Sequence, residues 1–359
     1  MMTYYRQMIL NASRVVEKYI KINKHLKSNI PIIYYSLSVN NYKYLYKSNN
    51  TSYNNDNNKK NGNINHYHFF LSGLFYGLFN FDDDNEEEKL PELIMTIKRS
   101  ILAIQRNEFD KAERILHVAL REAQVLQNYN AITYIYDLMA NVAFETEHFK
   151  KAETLFLLVL GRLFGQGINQ KDLKVIHISL KLANIYEHTG DIEKAETGYK
   201  YCLENISIHL DNDPENENIL ILLAMACDWY AQMLLSLGKY AEAHKYFEKS
   251  YNLCIKVNGR VHEQTVNLLN YLGTVSCKMQ EYDKAIEYLT TAIEIGRALP
   301  DFIHLGSIHV NLGDVYLRKG LYSEAKKACT NGRIIAKKRE DDESLVEADK
   351  CLADIKKLM

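Results

Sequence analysis

From Glu92 onward, apolar residues recur every three or four positions in runs of helical length, interrupted by short polar stretches, and the whole pattern then repeats. Six runs open alike, with an aromatic residue or Ile, two further residues, and then Ala. They are FDKAERIL (Phe109, Ala112), FKKAETLF (Phe149, Ala152), IEKAETGY (Ile192, Ala195), YAEAHKYF (Tyr240, Ala243), YDKAIEYL (Tyr282, Ala285) and YSEAKKAC (Tyr322, Ala325). The alanines are 40, 43, 48, 42 and 40 residues apart, and Gly273 and Gly313 each stand twelve residues before their alanine. Helical periodicity with no alternating stretch predicts an all-α chain. The helix pairs fall at roughly 92–127, 130–164, 172–209, 217–258, 262–298 and 302–337, with loops at 165–172 and 211–218. A final polar-faced helix, Asp342 to Leu358, caps the open end.

This arrangement resembles the tetratricopeptide pattern, L-G-x2-Y then A-x3-F on two antiparallel helices, with a period longer than the usual ~34 residues. The resemblance implies an all-α, tetratricopeptide-like helical-hairpin solenoid with a C-terminal capping helix. A small residue on each helix lets the pair approach closely while large aromatics fill the space between neighbouring pairs. Ala112, Ala152, Ala195, Ala243, Gly273, Ala285, Gly313 and Ala325 are the positions assigned to that role. Such an array presents a concave surface built from its first helices. On them a polar stripe runs opposite the packing residues: Asp137, Asn141, His177, Asn184, Asp228, Gln232, Asn267, Asn270 and Thr274. The stripe is either ordinary solvated helix face or a partner-binding surface.

Before the repeats the chain changes character. Residues 1–65 carry ten Lys or Arg against two acids, leaving 34 against 43 for the remainder. The acidic remainder argues against nucleic acid as a partner, because phosphate contacts need clustered cations. The first helix-like stretch places Met8, Ala12, Val15, Val16 and Tyr19 on one face among basic residues. That is the pattern of an organellar presequence more than of an ordinary surface helix, and it is assigned to 1–39. An Asn-rich tract follows at 40–65, with eleven Asn in 26 residues, too polar to fold. Next come an apolar segment at 66–81, an acidic linker at 82–91, the six helix pairs within 92–341 and the cap at 342–359. The unbroken apolar run Phe69 to Phe81 would rise about 20 Å as a helix, short of the roughly 30 Å hydrocarbon core. It is either a strained membrane anchor, aided by Gly73 and Gly77, or a hydrophobic helix docked on the first repeat.

Enzyme chemistry is absent from the sequence. There is no Gly-rich phosphate loop and no G-x-S-x-G, and His262-Glu263 begins an H-E-x-x-H motif that fails because residue 266 is Val. No cofactor and no metal site are expected. The six cysteines, Cys202, Cys227, Cys254, Cys277, Cys329 and Cys351, lack paired short spacings and read as buried, unpaired thiols.

One stretch resembles a particular family. YDLMANVAF (Tyr136 to Phe144), GQG (Gly165 to Gly167) and ISLKLANIY (Ile178 to Tyr186) are similar to the corresponding region of the tetratricopeptide repeat protein 19 family, with weaker similarity over about Glu92 to Met359. The resemblance implies a mitochondrial inner-membrane adaptor for assembly or maintenance of respiratory complex III, acting at its Rieske iron-sulfur subunit and on the fragments left by Rieske processing. It favours the anchor reading of Phe69 to Phe81, with the repeats facing the intermembrane space. GRVHEQT (Gly259 to Thr265) also resembles kinesin light-chain repeats, which implies the alternative of a soluble cytosolic scaffold for cargo or signalling proteins.

Overall fold

A computed structural model describes residues 90–299 and 302–359, and every regular element among them is an α-helix. The thirteen helices are α1 (Leu90–Gln105), α2 (Phe109–Val125), α3 (Tyr129–Glu145), α4 (Phe149–Gly165), α5 (Leu173–His188), α6 (Ile192–Asn212), α7 (Glu217–Ser236), α8 (Tyr240–Asn258), α9 (Glu263–Lys278), α10 (Tyr282–Arg297), α11 (Leu305–Arg318), α12 (Tyr322–Lys338) and α13 (Asp342–Leu358). The presequence, the Asn-rich tract and Phe69 to Phe81 lie outside the described residues. The chain divides into two units, 1–198 and 199–359, with the boundary inside α6.

Odd-numbered helices are the first members of hairpins and even-numbered helices the second, and five of the first kind begin differently from five of the second, with α11 an exception that has no side-chain cap. Helices α3, α5, α7, α9 and α13 start on a side chain that accepts from a backbone N–H of the first turn: Asn128, Asp172, Asn216, His262 and Asp341. These caps satisfy donors that the helix itself leaves open. Helices α2, α4, α8, α10 and α12 have no side-chain cap. They emerge from a tight turn whose geometry recurs. One residue sits at positive φ five positions before each repeat alanine: Asn107, Glu147, Gly190, Gly238, Gln280 and Gly320. The next N–H then donates to a carbonyl five residues back, as in His148 to Ala143 and Glu281 to Ser276, with all six such bonds at 2.8–2.9 Å. This left-handed closure reverses the chain in a few residues and sets each hairpin's crossing.

Packing follows the small residues. All six repeat alanines are fully buried. At the glycines the helices are closer still. A Cβ at Gly273 would lie 2.5 Å from Leu289 Cγ, and one at Gly313 would lie 2.1 Å from Cys329 Sγ and 3.3 Å from backbone atoms of α12. In the first unit, a Cβ at Gly198 would meet Ala183 Cβ at 2.8 Å. Aromatic residues fill the wider gaps. Phe144 packs edge-on to Phe156 in the first unit, and in the second Tyr199, Tyr230 and Tyr246 form a chain while Phe247 stacks on Tyr271 at 5.0 Å.

Two expectations need correction. The loop read at 211–218 is shorter, because α6 continues to Asn212 and α7 begins at Glu217. These two helices, of 21 and 20 residues, take up the longest interval between alanines. The cysteines are not all free thiols either: Cys329 on α12 and Cys351 on α13 form a disulfide with Cα atoms 6.2 Å apart. Their separation of 22 residues gives no sequence signal, since the two helices bring them together only in three dimensions. Cys202, Cys227, Cys254 and Cys277 are buried and take no part in a disulfide.

Candidate functional site

The polar stripe on the first helices is largely turned inward. In the second unit, Asp228 on α7 is 3% exposed. Its Oδ1 accepts from Gln232 Nε2 at 3.0 Å on the same helix, and its Oδ2 accepts from Gln264 Nε2 at 2.9 Å on α9. Burial pushes the Asp228 carboxyl up to about 6, against the pull of the two amide donors. One repeat later, Asn270 on α9 accepts from Asn311 Nδ2 on α11 at 2.9 Å. Thr274 turns its hydroxyl onto the Asn270 carbonyl of its own helix.

The first unit holds the charged counterpart. Asp137 on α3 is buried and accepts from Asn141 Nδ2 at 3.0 Å, while Lys181 Nζ on α5 donates to Asn141 Oδ1. Lys181 is buried too, and its ammonium lies 5.7 Å from the centre of the Phe156 ring. Burial raises Asp137 to about 6 and Glu145 to about 7, and Lys181 opposes both shifts. Burial lowers Lys181 in turn, with Asp137 and Glu145 opposing.

A common register links these contacts. Asp137, Asp228 and Asn270 each stand fifteen residues before a repeat alanine, and each is tied to the first helix of the next hairpin. The remaining stripe residues lie on the same helices. His177 and Asn184 are buried on α5, and Asn267 is half-buried on α9. Sequence patterning identified one side of this ladder and missed Lys181, Gln264 and Asn311. Lys181 stands in an apolar run, ISLKLANIY, and that interruption is the only trace it leaves in the sequence.

No group of three or more His, Cys, Asp or Glu side chains converges to hold a metal among the described residues. The His262-Glu263 pair is a helix start, with His262 Nδ1 accepting from Gln264 N at 3.2 Å. Among the same residues only α7 is long and apolar enough to cross a membrane, and 78% of its apolar window is buried within the fold.

Hairpins closed by a left-handed turn, an alanine at fixed offset and, within each unit, polar links between the first helices of neighbouring hairpins define a tetratricopeptide repeat protein, a class that mediates protein–protein interaction. The tetratricopeptide repeat family model matches residues 225–298 and 265–329. Solved structures agree on the fold. A signal transduction ATPase with a tetratricopeptide repeat sensor from Pyrococcus horikoshii superposes with TM-score 0.59 at 16% identity, covering 79% of this chain and 44% of that one. The quorum sensor NprR from B. thuringiensis gives 0.56 at 13%, covering 79% and 77%. The curated relatives are more specific. The mitochondrial tetratricopeptide repeat protein 19 homolog of Drosophila melanogaster is 39% identical over 287 residues, 80% of this chain and 78% of the relative. The mitochondrial protein of that name from Homo sapiens is 32% identical over 285 residues, 77% and 75%. The chain belongs to the tetratricopeptide repeat protein 19 family.

Proposed function

We propose that the chain is a non-enzymatic adaptor of the mitochondrial inner membrane, anchored through Phe69 to Phe81, that serves assembly or maintenance of respiratory complex III. It acts at the Rieske iron-sulfur subunit and in clearance of the fragments left by Rieske processing. The observation carrying this reading is that similarity to relatives named mitochondrial runs through most of the chain. A superfamily likeness alone would be confined to scattered repeats. Lys59 and Lys60 precede the apolar run and six acids follow it, which favours a matrix-side amino terminus and repeats in the intermembrane space.

The ladder bears on how a partner is held. Because Asp137, Asp228 and Asn270 already have partners within the fold, they stiffen the first helices. On this reading the half-buried Asn267 and Gln232 contribute more directly to docking than the buried carboxylates.

The test is a carboxyl-terminal tag followed on native gels of mildly solubilised mitochondria, together with complex III activity in the deletion. Co-migration with complex III, lost when residues 66–89 are removed, and a selective fall in complex III activity are expected. Normal complex III activity in the deletion would end the proposal. A cytosolic scaffold of kinesin light-chain type predicts instead a distribution that removal of residues 1–65 leaves unchanged.

A further inference from the structure

We propose that the Cys329–Cys351 disulfide is a redox latch that holds the terminal helix α13 onto the last hairpin. The inference stands on α11, α12 and α13 alone and does not depend on the complex III reading.

α13 is the last helix and packs on α11 and α12. It buries Ser344, Ala348, Cys351 and Ile355, four residues as in α2 and α8, where α11 buries eight. Val346 and Leu358 face solvent at 64% and 58% exposure. The apolar cluster beneath α13 comprises Val310, Ala325, Cys329, Ala348, Cys351 and Ile355, so two of its six members are the bonded cysteines. Half-buried Tyr316, Leu317 and Leu352 pack against this cluster, and an exposed ion pair joins Arg333 to Asp349 at 2.5 Å, a kind of pair that stabilises weakly. A terminal helix over so small a cluster is where an array opens most easily, and a covalent crosslink adds to its packing.

The two sulfurs occupy unequal positions. Cys329 is fully buried, with its Sγ pressed onto the α11 backbone at Gly313, while Cys351 is 9% exposed at the edge. An incoming thiolate therefore attacks Cys351 Sγ, the S–S bond breaks, and Cys329 leaves and takes up a proton. A second thiol of the reductant then displaces Cys351 as a thiol and closes the reductant's own disulfide. In the forward direction the two cysteines lose two electrons and two protons to a protein disulfide donor, which leaves as a dithiol. The latch thus closes only where such a donor operates, in a thiol-oxidising compartment. The chemistry is confined to this pair, because Cys202, Cys227, Cys254 and Cys277 are buried within the fold and form no disulfide.

The experiment uses the full chain recovered from its native membranes. Thiols are trapped by acid quench and alkylation, peptides are mapped, and backbone hydrogen exchange is followed with and without dithiothreitol. The expected result is a Cys329–Cys351 crosslinked peptide and, on reduction, exchange of α13 amides faster by about 100-fold, with α9 and α10 unchanged. A chain carrying Cys329→Ser and Cys351→Ser exchanges fast in either condition. Recovery of both cysteines as free thiols, or α13 exchange that is indifferent to reductant in the parent chain, overturns the proposal even if the double variant fails to fold.

Discussion

Gln264 on α9 donates a 2.9 Å hydrogen bond to the buried Asp228 carboxylate on α7, across one full repeat. The bond replaces water around a charge that the core would otherwise exclude, and it fixes the register of one first helix against the next. Its energetic consequences are measurable because the carboxyl is poised near neutrality.

The first prediction concerns Asp228→Asn. The folded pKa, about 6, lies above the ordinary 3.8, so the contribution of this group is fully present below about 3.8 and is lost as pH rises through about 6. The parent therefore forfeits roughly 2–3 kcal/mol across that window. A carboxamide does not ionise, and the Gln264 amide can turn so that its oxygen accepts. Denaturation midpoints at pH 4 and pH 8 should show the variant gaining on the parent by most of that amount, and parallel curves would refute the assignment.

Removing the cation of the first unit should act in the opposite sense. Lys181→Met leaves Asp137 and Glu145 without the charge that opposes their burial. A loss of about 3 kcal/mol is expected at pH 8, where both acids are forced to ionise or to hold a proton. At pH 5 both are protonated and the loss should shrink below about 1 kcal/mol. Urea unfolding at the two pH values measures the difference.

The hairpin turns supply a stabilising change. Gln280 is held at φ 64°, where Gly190, Gly238 and Gly320 stand in other hairpins. Gln280→Gly relieves the Cβ strain of the left-handed region and should raise stability by about 0.5–1 kcal/mol. Gly238→Ala should lower it by a similar amount, read from paired thermal melts.

Close approach gives a further contrast between two glycines. A methyl at Gly313 would overlap Cys329 Sγ with α12 backbone directly behind it, whereas nothing lies within 4 Å of a Cβ at Gly165. Gly313→Ala is expected to destabilise by about 2 kcal/mol or more. Gly165→Ala should be neutral within about 0.5 kcal/mol, and a loss of equal size at both positions would mean that close packing is not the cause.

The hairpins were legible in the sequence because Ala112, Ala152, Ala195, Ala243, Ala285 and Ala325 carry a steric requirement that few residues meet. Their turns were half legible. Glycine marks three of the left-handed positions, but Asn107, Glu147 and Gln280 adopt the same conformation without the residue that advertises it. The stripe was visible as polar spacing on the first helices, yet its inward bonding was not, since Gln264 and Lys181 become partners of Asp228 and Asn141 only when neighbouring hairpins stack. The Cys329–Cys351 bond was hidden for the same reason, as the sulfurs lie 22 residues apart on consecutive helices and meet only when α13 folds onto α12.

Asp228 has a consequence outside the folded state. It lies near the middle of α7, a 20-residue segment whose apolar composition alone satisfies the requirement for a bilayer span. Before α8 and α9 fold onto it, such an exposed segment is apolar enough to favour lipid over water. An acid at the centre of a helix opposes that transfer by about 2.5–3.5 kcal/mol. Replacing Asp228 by Leu should therefore increase insertion of the α7 segment in a membrane-insertion assay, so the carboxylate that orders the repeats also makes its own helix a poorer membrane segment while unfolded.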